Sequence, residues 1–457
     1  MASVTSKNIA TAWWLCVILL LSLKPVVKAA EVDAETLRQI RELQQQNQQF
    51  MEQLRRQQAL IEGLNKKVAE LETQRDAPPP APTPVPATAV STTVPAREPE
   101  PKEEGAGVRF GNVHLSGEAG LAFFHTGPGG QFPNSEFRVD EAKLFLEAKV
   151  VEDVYFFTEL NLFMRESDDE YLSLGELYAD FENLSGGWGP PRLLNARIGR
   201  LDIPFGEEYL TRDAMDNPLI SHSLSDVWGV DEGVEVYGEF KKFQYALAVQ
   251  NGGHPCLRDY TADKSVCLRL GIDPAPWLHL SASAMRTGDL SVSGDKFSEA
   301  WFGNGFVRSL GSSNTTRFKA EMLEGDARIR LPHGHLAAAG GYLRYADNDP
   351  QANNRRDAFY CYLEGVQELN RKLYAAARFS RIWSERGLPL VGQGDFGRYF
   401  FGRDLTRDLW RLSFGVGYRF SRHVGVKLDY SLEDGRMVSG QRRNCENFFG
   451  TEVTVGF

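Results

Sequence analysis

Glu136-Phe137-Arg138-Val139-Asp140-Glu141-Ala142-Lys143-Leu144-Phe145-Leu146-Glu147-Ala148-Lys149-Val150 alternates along its second half. Ala142, Leu144, Leu146, Ala148 and Val150 fall on one side of an extended chain, and Lys143, Phe145, Glu147 and Lys149 on the other. Successive side chains of a strand point to opposite faces, so this is a strand with one apolar and one largely polar face. The next segment repeats the pattern, with Val154, Phe156, Thr158, Leu160, Leu162 and Met164 opposing Tyr155, Phe157, Glu159, Asn161 and Arg165. It returns in Leu278/Leu280/Ala282/Ala284, in Trp410/Leu412/Phe414/Val416 and in Phe449/Thr451/Val453/Val455/Phe457. About sixteen such segments fit in roughly 350 residues, the length per strand of a large membrane barrel. Strands with one lipid-facing side also reconcile a mean hydropathy of −0.35 and 25% charged residues with a membrane location. A bundle of helices, each needing ~20 apolar residues in succession, is excluded.

The connections are of two kinds. Val151–Asp153, Lys241–Lys242, Asp273–Pro276, Pro332–Gly334 and Ser421–Arg422 are brief. Thr126–Ser135, Asp202–Val230, Asn251–Ser265, Thr287–Arg317, Ala346–Asp357, Ser384–Thr406 and Asp434–Arg443 are long, and Asn183–Arg192 is a longish member of the first kind. Short turns at one mouth and long loops at the other are expected of an outer-membrane barrel, whereas a soluble sandwich gives no reason for the alternation. The last strand closes on Phe457, and this ending resembles the terminal strand of bacterial outer-membrane proteins.

The fold expected is therefore all-β: a transmembrane antiparallel β-barrel of about 16 strands over 107–457, preceded by an α-helical coiled coil and a Pro-rich linker. Residues 1–29 read as a signal peptide, with the apolar run Ala12–Leu23 between Lys7 and Val27-Lys28-Ala29. Residues 30–76 hold the coiled coil, with Ile40, Asn47, Leu54, Ile61 and Val68 at a, and Leu43, Phe50, Gln57, Leu64 and Leu71 at d. Such a seam stays wet unless a partner helix covers it. Residues 77–106 contain Pro78-Pro79-Pro80 and Pro95, Pro99 and Pro101, which exclude helix and sheet and leave a stiff spacer. Export places Cys256, Cys267, Cys361 and Cys445 in an oxidising compartment. Cys256 and Cys267, close in sequence and flanking a loop tip, are expected to form a disulfide, and the pairing of Cys361 and Cys445 is left open.

The stretches Phe137–Leu144, Leu177–Phe181, Ala196–Gly206 and Asp231–Val234, above all Gly199-Arg200-Leu201-Asp202-Ile203-Pro204-Phe205-Gly206, resemble the phosphate-selective porin O/P family. The resemblance implies a sixteen-stranded trimeric porin whose third extracellular loop folds into the lumen, a role that Asp202–Val230 would fill. In that segment Phe205, Leu210, Met215 and Leu219 would pack on the wall while Glu207, Glu208, Arg212, Asp213 and Asp216 face water. With Lys143, Glu147, Arg165, Arg197, Arg200 and Arg378 from the wall, these charged residues are the expected pore-lining and constriction set. Inward Lys143, Lys149, Arg165, Arg197 and Arg378 stand beside Glu147, Glu159, Glu176, Asp180 and Glu182, a mixture that predicts weak selectivity.

The function expected is passive diffusion of small hydrophilic solutes or ions, anions among them, through a homotrimer in outer-membrane lipid. The alternative is a structural anchor that tethers the envelope to the cell wall through a coiled coil in the periplasm. A net charge of −10 offers no field for nucleic acid. No enzyme or cofactor is expected. Gly392–Gly397 fits G-x-G-x-x-G without a helix to follow, His333-Gly-His335 lacks an adjacent third metal ligand, and no Ser/His spacing marks a hydrolase.

Overall fold

The computed structural model describes residues 107–457 apart from 164–171, 253–258, 293–300, 303–304, 307–309, 391 and 393–403. The expected signal peptide, coiled coil and linker, and Arg165 and Cys256, lie outside the described residues. Sixteen antiparallel strands close into a barrel. In chain order they are β1 (Val113–Thr126), β2 (Glu136–Val151), β3 (Val154–Phe163), β4 (Ser173–Phe181), β5 (Asn195–Asp202), β6 (Val230–Phe240), β7 (Phe243–Gln250) and β8 (Ser265–Ala275). There follow β9 (Leu278–Arg286), β10 (Arg317–Leu331), β11 (Gly334–Asp347), β12 (Arg356–Glu368), β13 (Leu373–Leu388), β14 (Thr406–Ser421), β15 (Val424–Met437) and β16 (Phe448–Gly456). Each pairs with its neighbours in sequence, and β16 pairs back on β1 from Glu118↔Gly456 to Thr126↔Phe448, which removes every wall edge.

Turns at 152–153, 241–242, 276–277, 332–333 and 422–423 share one mouth with Phe457, whose N–H donates to the Gly117 carbonyl (2.9 Å). The 182–194 turn is the long exception there. Asn183 and Arg192 adopt left-handed φ values of 56° and 61°, and the Asn183 N–H donates to Asn195 Oδ1 (2.7 Å). The opposite mouth carries the long connections. Connection 164–172 joins them, although the sequence pattern did not set it apart from the neighbouring strands.

Alternation divides the wall. Leu121, Ile198, Leu270, Leu323 and Leu363 are exposed on the outer face, a band suited to lipid, and Phe240, Phe243, Trp277, Phe420 and Phe457 are exposed near the tight-turn mouth. Aromatic rings favour that depth because they are apolar bodies with affinity for the interface. One expectation is corrected here. A bulge pairs Ala142 with Phe163 and Lys143 with Asn161, so Leu162 is the extra residue and Phe163, not Leu162, continues the outer face.

Candidate functional site

Connection 203–229 between β5 and β6 folds into the barrel. It starts with Ile203-Pro204-Phe205-Gly206, and Gly206 takes φ +70° where a Cβ would stand 2.3 Å from Glu324 Oε1, so only glycine suits the turn. Its N–H donates to Ser283 Oγ (3.0 Å) on β9, and Arg269 of β8 donates to its carbonyl (3.3 Å). A 3-10 turn over Glu208–Thr211 follows.

Apolar contacts hold the segment to the inner wall. Ile203, Phe205, Leu224 and Val227 pack with Cys267, Met285, Phe318, Met322, Ile382 and Leu409, while Leu219 meets Val366 and Tyr374. Ile220 packs with Phe124 and Phe448. The expected apolar side is thus correct for Phe205 and Leu219 but not for Leu210, which is 51% exposed. Leu210 lies on the short 3-10 turn, whose three-residue period replaces the alternation assumed for it.

Polar anchors complete the fit. Asp429 Oδ2 accepts from the Ile220 N–H (3.0 Å), the Ser221 N–H (2.7 Å) and Ser221 Oγ (2.7 Å). Lys427 Nζ donates to the carbonyls of Ala214 (2.6 Å), Asn217 (3.1 Å) and Leu219 (3.3 Å) and pairs with Glu452 at 2.9 Å. Arg411 donates to the His222 carbonyl (2.8 Å) and Arg378 to that of Ser221 (2.8 Å). Past β16 and β1 the tip reaches β2, where Asp213 pairs with Lys143 and the Ala214 N–H donates to Glu141.

Two adjacent carboxylates on this segment behave differently. At Glu207 burial opposes ionisation, but His279 (3.4 Å) and Arg269 (3.5 Å) outweigh it and hold the group below the usual carboxylate range. Burial pushes Glu208 up to about 7 despite Arg378 at 3.8 Å and a hydrogen bond from the Ser223 N–H (3.0 Å). Only Glu207 is a firm negative charge at neutral pH.

Of the expected set, Lys143 and Asp213 meet, and Glu208 approaches Arg378, which is also bonded to Glu364 (2.8 Å). Arg197 reaches Asp180 at 2.9 Å and Glu235 at 3.8 Å. Arg212 turns into its own loop, to Asp226 (2.8 Å) and His222 (3.1 Å), and Asp216 is exposed. Glu147 is exposed, four residues from Lys143 toward the tight-turn mouth. Arg200 is bonded along the wall. It bonds Glu232 (2.9 Å) and the Gly175 carbonyl (2.9 Å), and its register places it on the face that carries Ile198 and Val234. Sequence reading overlooked Glu118, Glu141, Asp202, Glu235 and Arg269. Pairing brings Glu118, Lys143 and Asn161 into one row over three strands. Glu118, Glu141 and Asp213 each bring an oxygen within 4.8 Å of the others, and Lys143 already supplies a cation there. His335 bonds Glu364 at 3.2 Å.

Cys267, Cys361 and Cys445 are free thiols, and Cys256, the expected partner of Cys267, lies outside the described residues. The Cys267 side chain is fully buried and donates to the Pro204 carbonyl (3.3 Å), so it serves the seat of the loop. Alkylation of the native protein should leave Cys267 unlabelled and label it after denaturation, with peptide mapping as the readout. Labelling in the native state would contradict this packing.

No family model and no curated relative matches the chain. Among solved structures, it is similar to the outer membrane channel DcaP of Acinetobacter baumannii, with TM-score 0.53, 10% identity and coverage of 77% of this chain and 100% of that one. It is also similar to OmpT, an outer membrane protein of Vibrio cholerae, with TM-score 0.51, 12% identity and coverage of 76% and 97%. At such identities the likeness is one of fold: a closed antiparallel β-barrel.

Proposed function

We propose that the chain is an outer-membrane channel for passive diffusion of small hydrophilic solutes and ions, and a distant relative of the phosphate-selective porin O/P family. The observation that carries this reading is segment 203–229, fastened inside a closed barrel by Arg378, Arg411, Lys427 and Asp429 of β13–β15 and by Lys143 and Glu141 of β2. A wall of sixteen strands encloses an aqueous bore that its own side chains do not close. A loop bonded within that bore narrows it while leaving a wetted gap, which is how a barrel passes small solutes and retains large ones. A barrel that served only as an anchor would gain nothing from so many buried polar anchors on an internal loop.

In this reading residues 1–29 direct export, the heptads over 36–74 join three chains in the periplasm, and the barrels associate as a trimer. The charged residues named above form the constriction, with Arg200 and Arg212 supporting the wall and loop instead. Phosphate selection is not part of the proposal, because Arg378, Arg411 and Lys427 point their donors at loop carbonyls and carboxylates rather than at water. Purified full-length protein added to a planar bilayer should give stepwise, ohmic current increments. Folded protein that inserts and gives none would refute the channel and favour the tether.

A further inference from the structure

We infer that the passage runs between the 207–213 stretch of the inserted loop and the inner face of β1–β6, and that its charge selects cations. The inference rests on the channel reading above and adds the class of solute to it.

The loop packs along β8–β16, and the cations on that side are sealed beneath it. Arg378 is 4% exposed and Arg411 1%, and both donate to loop carbonyls. Lys427, 4% exposed, donates to three more. Water in the passage therefore meets the other lip. There Lys143 stands in register with Glu118, and it pairs with Asp213 and approaches Glu141 at 4.0 Å. Glu159 is on the same face two residues before Asn161, and Glu176 accepts a hydrogen bond from the Asp202 N–H (3.0 Å). Further along, Arg197 lies between Asp180 and Glu235, and Arg269 lies against Glu207. The partly exposed carboxylates on β1–β4 are thus Glu118, Glu141, Glu159 and Glu176 against Lys143, whereas Asp180 and Glu235, each 6% exposed, are taken up by Arg197.

A second observation points the same way. Asn161 is 5% exposed in the row of Glu118 and Lys143, and its Oδ1 accepts no hydrogen bond among the described residues. It is a neutral oxygen acceptor beside the carboxylates, of the kind that replaces part of a cation's hydration shell. In a confined, low-dielectric gap such a surplus concentrates cations and repels anions.

The test is the reversal potential of full-length channels in a tenfold KCl gradient at pH 8. We expect K⁺ to permeate over Cl⁻ by roughly fivefold or more. The pair Glu159→Gln with Glu176→Gln replaces two carboxylates on β3 and β4 by neutral amides of nearly the same shape, and should bring the ratio toward one. A wild-type potential at zero or on the chloride side would overturn the inference while leaving a channel. An unchanged ratio in the double variant would overturn the assignment to this lip. Absence of any channel would refute the underlying reading instead.

Discussion

Deleting Glu207–Asp216 is expected to raise single-channel conductance roughly two- to threefold, because a sixteen-stranded wall leaves a bore much wider than the gap beside the loop. The deleted stretch contains the 3-10 turn over Glu208–Thr211 and the Asp213-Ala214 tip that reaches Lys143 and Glu141. It spares Gly206, seated on Ser283, and the Ile220–Leu224 stretch bonded to Asp429, Arg411 and Ser380. The wall's own ladder is untouched, so the sedimentation of the purified protein should not change. The measurement is the current step in symmetric 1 M KCl, a concentration taken high (Debye length about 3 Å) so that surface charge is screened and bore size dominates. A current step equal to that of the intact chain would count decisively against the loop as the constriction.

Much of the barrel was legible because a strand's period of two is a local property. Lys143, Phe145 and Glu147 had to share the face opposite Leu144 and Leu146 wherever the strand lay. The inserted segment was legible through its length and through Pro204-Phe205-Gly206, where glycine and proline mark a fixed turn. What was missed depends on pairing between distant residues. Glu118 lies beside Lys143 only because the β1–β2 register takes that value, with Asp140 as the extra residue of a bulge. Arg200 was expected at the constriction from its proximity in sequence to the loop. It sits one place from Gly199, which has φ +147°, and register aligns it with Glu232. Arg212 looked available to water until the chain folded back and brought Asp226 to it. For Cys267 compartment and spacing were visible in the sequence, and its burial against the Pro204 carbonyl was not.

Replacing Lys427 by Met should release the loop while leaving the wall intact. Lys427 is the one described residue whose single polar atom bonds three loop carbonyls, and it pairs with Glu452, which is 1% exposed. Methionine keeps most of the stem's volume, so the loss is one of charge and donors rather than of packing. Removing one partner of a buried ion pair costs about 3–5 kcal/mol, since the remaining charge stays in a poor solvent. The ladder from β14 through β16 does not involve Nζ, and that cost therefore falls on the loop's docked state. A local penalty of about 3 kcal/mol makes opening of the segment roughly a hundredfold more frequent. Two readouts follow: flickering of the single-channel current toward larger openings, and cleavage of the 203–229 segment by a protease that leaves the intact chain uncut. Lys427→Arg keeps the charge near Glu452 but spreads its donors over a planar fork, so it should flicker less than the Met variant. Quiet current and full protease resistance in Lys427→Met would mean that Phe205, Leu219, Ile220 and Leu224 hold the loop without help. In that case the anchors on β15 would serve the shape of the passage rather than its closure.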